Sequence, residues 1–306
     1  MRRGKRAGVA LMSQSPTGTA LMSQSPTGWL FIAPSLFGLV AFMLLPVLAV
    51  LWLSTQDWDL IGPSRFVGLQ NWQAVLADPQ FGHSLLVTLA FVAVVVPAQT
   101  ALGLWVATLL VKGLRGSSAL RTILAIPWVC SPLAIALIWK WLLSPTDGAV
   151  NALAGERVEW LTDPRLAFPA VAAVSVWSQA GYIALFFVAG LYAIPEELGQ
   201  AAHLDGATSR QRFWRITFPL LRPTLVFVSL TGLINAVQIF DLVYGLTRGG
   251  PGGSTDLVAH RLYSEAFEVA RPGRAAVMAI VLALGLILIT VAARRATERK
   301  AGYALR

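Results

Sequence analysis

Residues 193–223 read AIPEELGQAAHLDGATSRQRFWRITFPLLRP, a long patterned segment set between two apolar runs. Pro195 followed by Glu196 and Glu197 suits a helix start, because proline's fixed φ and the two carboxylates complement the free N–H groups of a first turn. Leu198, Ala201, Ala202 and Leu204 then give a small, mostly apolar face, and Gly206 permits a turn. A second short helix over 209–216 carries Arg210, Arg212 and Arg215 with Phe213 and Trp214, until Pro219 and Pro223 break the chain. The segment therefore reads as two short helices joined by a glycine. Elementary physics leaves two uses for it. It lies on lipid headgroups with its arginines facing anionic lipid, or it is a docking surface for a partner chain.

The rest of the chain shows what this segment interrupts. Of 306 residues, 56% are hydrophobic and 13% charged, against about 45–50% and about 25% in soluble domains. The mean hydropathy is +0.65. A soluble multidomain enzyme is excluded on those grounds. A bilayer core about 30 Å thick needs about 20 apolar residues of helix, and six windows of that kind occur: 29–53, 84–111, 122–141, 166–191, 224–246 and 275–293. Internal prolines such as Pro34, Pro46, Pro97 and Pro127 are tolerated in a membrane bundle. The predicted fold class is thus an all-α membrane protein with six transmembrane helices. Its parts are an N-terminal tail (1–28), a first helix (29–53), a five-helix core (84–293) containing the loop 192–223, and a C-terminal tail (294–306).

Basic residues set the orientation, because Lys and Arg are retained on the cytoplasmic side. One side collects 16: Arg2, Arg3, Lys5, Arg6, Lys112, Arg115, Arg121, Arg210, Arg212, Arg215, Arg222, Arg294, Arg295, Arg299, Lys300 and Arg306. The other collects 7, namely Arg65, Arg157, Arg165, Arg248, Arg261, Arg271 and Arg274, beside 10 acidic residues. Both termini are expected in the cytoplasm of a multi-pass protein of the cell membrane. The net charge of +9 is then a consequence of topology, and the basic residues form no single stripe of the kind nucleic acid requires. The fifth loop, with four outward arginines, is the outlier. The first span exceeds the 7 to 15 apolar residues of a signal peptide, so a retained anchor is expected. Before it, ALMSQSPTG occurs twice in tandem, at 10–18 and 20–28, in a stretch with too little apolar surface to fold alone.

Few residues are equipped for chemistry. Cys130 is the only cysteine, and His83, His203 and His260 stand far apart, so no disulfide and no metal site is expected. Asp57 and Asp59 are a close acidic pair with nothing joining them. No G-x-x-x-x-G-K-[ST] occurs, so no phosphate cradle is encoded. Catalytic residues are expected to be absent. Polar side chains inside spans are the informative ones, since at membrane depth they face a cavity or a partner. Gln179 lies mid-span with Ser178 beside it and Tyr182 three residues on. Asn235 lies mid-span with Gln238 and Asp241 following at three-residue steps, one helical stripe. These six are the candidate substrate pathway, and the competing reading is interhelical hydrogen bonding. Asp241 lies nearer the outer end, within reach of Arg248. Gln99, beside Pro97, either lines the pathway or satisfies carbonyls freed by the proline. Lys140, flanked by Trp139 and Trp141, can snorkel to the interface.

The loop decides the family. Gln200-Ala201-Ala202, three residues, Gly206, nine residues, then Ile216-Thr217-Phe218-Pro219 resembles the EAA loop of ABC importer permeases, Glu-Ala-Ala, three residues, Gly, nine residues, Ile-x-Leu-Pro. Gln200 stands where that pattern has Glu, and Phe218 where it has Leu. Residues 121–127, Trp139 to Trp141, Gly148 and Asn151, and the run Leu246-Thr247-Arg248-Gly249-Gly250-Pro251 with Ser254-Thr255 resemble the carbohydrate branch. Within it the chain is similar to the first permease of maltose and glycerol-3-phosphate systems, and to actinobacterial, including mycobacterial, sugar and amino-sugar permeases. The resemblance implies the type I importer (MetI-like) permease fold and import of a sugar or amino sugar by alternating access. It implies that Gln200, Ala201, Ala202, Asp205, Gly206, Ile216 and Pro219 form the loop that docks on an ABC ATPase dimer, and that Gly249, Gly250 and Pro251 face a receptor. The implied partners are a second homologous permease, those ATPases, an extracytoplasmic sugar-binding (lipo)protein and membrane lipid. No cofactor is expected on this chain; ATP and Mg belong to the ATPase. Two other functions stay open on composition alone: an ion-coupled secondary transporter using Asp241 or Lys140, and an integral-membrane sugar-transfer enzyme.

Overall fold

The computed structural model describes residues 26–112 and 117–301. Most of the duplicated ALMSQSPTG stretch, with Arg2, Arg3, Lys5, Arg6, Arg115 and Arg306, lies outside the described residues. The chain divides into two units, one ending at Ala49 and one beginning at Val50. From the first, α1 (Pro26–Leu39) continues through a single π-turn, Val40–Leu44, into α2 (Leu45–Leu53), which crosses the boundary between the units. Pro46, which has no N–H to give an α-helical ladder, is the second residue of α2, just past that wide turn.

The second unit opens with a two-residue hairpin, β1 (Gln56–Asp57) and β2 (Arg65–Phe66), antiparallel with Gln56 opposite Phe66. Asp59 turns it by accepting from the amides of Ile61 and Gly62 at 3.1 and 2.8 Å. After α3 (Gln70–Leu76) comes α4 (Pro79–Leu110). Asp78 caps α4 through the Gln80 amide, at 2.8 Å, with Pro79 at the first helical position. The same device starts α8 (Pro164–Tyr192), where Asp163 accepts from the Arg165 amide. Between them stand α5 (Ser117–Val129), α6 (Pro132–Leu142) and the short α7 (Ala149–Ala154). The loop helices α9 (Glu196–Leu204), α10 (Ser209–Arg212) and α11 (Phe218–Leu220) lead into α12 (Arg222–Val237), and the chain ends through α13 (Asp241–Leu246), α14 (Val258–Tyr263) and α15 (Pro272–Ala301).

Among the described residues four helices are long and apolar enough to cross a membrane, or up to six spans if each of two bent pairs is one. Two predicted spans are not continuous helices. Span 122–141 is α5 and α6, bent by 98°; Ser131 precedes Pro132 and is therefore pushed to extended ψ, here 127°. Span 224–246 ends as a helix at Val237, and α13 starts afresh at Asp241. No proline or glycine marks that break. It is held from outside by ring packing, with Phe240 against Tyr244 and Tyr263 at 5.3 and 4.7 Å. The second loop helix also runs further than 209–216. A π-turn at Phe213–Thr217 absorbs the defect of Pro219, so the helical run reaches Leu220, and the bend of 65° falls at Leu221.

The core is built around α4 and α8. One cluster joins Phe91 and Val95 of α4 to Val171 and Val174 of α8, with Ala136 of α6 and Leu242 and Val243 of α13. A second joins Ala107 and Leu110 to Ala184, Phe187 and Val228. Close approach depends on small residues, as in other membrane bundles where packing rather than hydrophobicity joins helices. A methyl group on Gly245 would lie 2.5 Å from the Ala136 side chain, and one on Gly181 would run into the Leu124 carbonyl of α5. Gly181→Ala must force α5 and α8 apart, because the obstacle is backbone. The substitution is expected to cost about 1–3 kcal/mol, read as a lowered thermal midpoint of the detergent-solubilised protein; an unchanged midpoint would contradict this packing.

Candidate functional site

Near the middle of α8, Ser178 and Gln179 open onto a cavity of about 320 Å³. The same cavity is lined by Gln99 from α4, Trp128 from α5, Asn235 from α12, Gln238 from the break and Asp241 from the start of α13. Because α12 stops at Val237, Asn235, Gln238 and Asp241 are not one helical stripe; the break still delivers all three to one space. Among the described residues no hydrogen bond joins Gln179, Asn235 or Gln238 to another helix, so their amides are available to the cavity. Tyr182 does not line it. Its ring lies flat against Trp128, centroids 4.2 Å apart and 10° from parallel, with Phe186 at its edge. Trp128 thus borders the cavity with one ring face braced by Tyr182. Sequence reasoning missed Trp128, Ser175 and Cys130, which also line the space. An aromatic directly after Pro127, where the helix was bound to deviate, was the available signal for Trp128. Gln99 is buried and packs against Gly232.

In the loop, no residue of α9 is buried. Leu198 and Leu204 are 44% and 87% exposed, and Gln200, Ala201, Asp205 and Gly206 are exposed too. Gly206 has φ +75°, the left-handed conformation in which a helix ends most readily on glycine. Its amide donates to the His203 carbonyl at 3.0 Å, and the next amide, of Ala207, to that of Ala202 at 2.9 Å. Thr208 and Gln211 then form a reciprocal capping box that starts α10. Ile216 and Pro219 are half-buried at the return toward α12. At the root of the loop the Arg121 guanidinium donates to the Tyr192 hydroxyl at 3.0 Å and lies over its ring, tying the start of α5 to the end of α8.

The fifth loop holds the densest polar network. Arg261 pairs with Asp256 at 2.7 Å, His260 Nδ1 lies 2.9 Å from the other carboxylate oxygen, and Ser84 of α4 lies 2.9 Å from the first. Burial pushes the Asp256 carboxyl up, but the His260 hydrogen bond, the Arg261 charge and the Ser84 hydroxyl outweigh it and hold it below the ordinary 3.8. One of the four arginines of this loop is thereby neutralised. Of the residues expected to face a receptor, Gly249 is buried against His260, with φ +79°, and Gly250 and Pro251 are half-buried. The exposed residues of this run are Arg248 and Gly252.

Apolar spanning helices, a polar cavity between them and an exposed loop returning into the bundle define a multi-pass membrane permease. The chain belongs to the family of binding-protein-dependent transport system inner membrane components, whose sequence pattern matches residues 99–302. It is 38% identical over 236 residues to the trehalose/maltose transport system permease protein MalF of Thermococcus litoralis, covering 76% of this chain and 80% of the relative. It is 33% identical over 280 residues to the sn-glycerol-3-phosphate transport system permease protein UgpA of Agrobacterium fabrum, covering 90% and 96%. A crystal structure of a bacterial ABC transporter importing the acidic polysaccharide alginate shares the fold, with TM-score 0.78, 22% identity, and 89% of this chain and 96% of that chain covered.

Proposed function

We propose that this permease imports a neutral or amino sugar, as one of two homologous membrane subunits energised by separate ATPase chains. The cavity carries this reading. Amides of Gln99, Gln179, Asn235 and Gln238, hydroxyls of Ser175 and Ser178 and one carboxylate converge beside Trp128. A polyol leaving water needs such partners for its hydroxyls. No Lys, Arg or His lines the cavity among the described residues, which disfavours a phosphorylated or acidic cargo. Of the relatives, the trehalose/maltose permease is named for a neutral sugar, which supports this reading; the sn-glycerol-3-phosphate permease is named for a phosphorylated polyol and shares with it only the hydroxyl-rich cargo.

Both termini lie in the cytoplasm in this reading, so the loop from α9 to α11 faces the ATPases. A rigid helix held at one end by the Arg121–Tyr192 contact and at the other by α12 transmits a rigid-body push to the bundle. ATP and Mg would stay with the partner chains, since no phosphate cradle is encoded here. An extracytoplasmic sugar-binding protein would deliver cargo to the opposite face. Purification of the tagged chain from mild detergent, with an ATPase assay and identification of co-purifying chains, tests the assembly. An ATPase and a second six-span permease are expected in the eluate. A monodisperse single chain without ATPase activity would contradict it and favour the ion-driven carrier.

A further inference from the structure

We propose that Asp256 is a positioning residue for receptor docking: it latches the glycine-rich outer loop to α4, so that the binding protein meets a preformed surface. The proposal rests on the importer reading. Residues 247–255, TRGGPGGST, contain four glycines, and such a chain loses the most entropy when it is fixed in one shape. Yet the loop is held at several points along its length. The Thr247 and Thr255 hydroxyls are hydrogen-bonded at 2.7 Å, and Thr255 donates to the Gly250 carbonyl at 2.7 Å. His83 of α4 donates from Nε2 to the Gly253 carbonyl at 3.1 Å.

Asp256 closes the arrangement. Buried itself, it binds Arg261, whose Nε also reaches Ser84 Oγ at 2.8 Å and whose Nη1 donates to Gln80 Oε1 at 3.0 Å. The amide of Val258, two residues on, donates to the Thr88 hydroxyl at 2.9 Å. Three successive turns of α4 thus grip the loop and the start of α14. Beside the latch lies a cavity of about 390 Å³ bounded by Arg248, Gly250, Gly253 and Glu265. Glu265 Oε2 is buried without a hydrogen-bond partner among the described residues, and Arg248 is exposed with its guanidinium over the Tyr244 ring. The exposed group this surface offers is therefore the Arg248 cation. A receptor face carrying a carboxylate fits it. Holding a floppy sequence in its bound shape moves the ordering cost from docking to folding.

The test uses the full complex in lipid vesicles, with ATPase rate measured against the concentration of sugar-loaded binding protein. Asp256→Asn is expected to raise the half-saturating concentration about tenfold, the scale of gains from preorganisation, while the rate at saturation stays near wild type. Asp256→Glu should recover part of the loss, and Arg248→Glu should raise the half-saturating concentration through the receptor's carboxylate. Thr255→Val breaks the hydroxyl bonds without leaving a buried charge unpaired; should Asp256→Asn fail to assemble, a raised half-saturating concentration in Thr255→Val supports the latch. Unchanged half-saturation in the variants that assemble, or a lowered maximum alone, overturns it. A wild-type complex that the receptor does not stimulate would instead contradict the importer reading.

Discussion

Gly206→Pro is expected to abolish ATP-dependent uptake at equal protein levels. Gly206 sits at φ +75°, whereas proline is fixed near about −65°. Its amide also donates to the His203 carbonyl, at 3.0 Å, and proline has no N–H to replace that bond. The turn between α9 and α10 would have to open, and the two helices could no longer move as one body. Gly206→Ala keeps the amide and meets only the left-handed penalty of about 1–2 kcal/mol, so it should retain part of the activity. Uptake left intact by the proline variant, at wild-type abundance, would show that this loop does not couple ATP hydrolysis to the bundle.

Asn235→Leu should lower sugar uptake about tenfold, the loss of one or two hydrogen bonds of about 1 kcal/mol each, with assembly unaltered. The expectation rests on where the amide points. It lines the cavity with Gln179 and Gln238, and among the described residues it bonds to no other helix. If Asn235 instead joined packed helices, its loss would show as a destabilised complex with unchanged uptake across sugar concentrations. Those two signatures separate the readings, because a cavity residue alters transport of sugar while a packing residue alters the fraction of intact complex.

The architecture was legible where one segment carried its own signal. Apolar runs of about 20 residues or more announced α4, α8 and α15, and Pro195, Gly206 and the EAA-like spacing announced the loop, because capping, positive φ and hydrophobic length are local properties. The break before Asp241 was invisible, since Phe240 is held by Tyr244 and Tyr263 rather than by a proline or glycine of its own. The bend at Ser131 was legible in principle from Pro132, but an unbroken hydropathy window hid it. Pairing was the other blind spot. Asp256 and Ser84 are 172 residues apart, and Trp128 meets Tyr182 only once α5 lies against α8. The polar residues in spans were individually visible from their cost in a membrane, while their convergence on one cavity needed the fold.

The most direct measurement is uptake of labelled sugar into vesicles holding the purified complex, with ATP and Mg enclosed on the side of the loop and sugar-loaded binding protein on the other. Uptake is expected only when ATP and binding protein are both present, and never by this chain alone. Accumulation by this chain alone, driven by an ion gradient and indifferent to ATP, would contradict the importer reading and place Asp241 or Lys140 at the centre of a different mechanism.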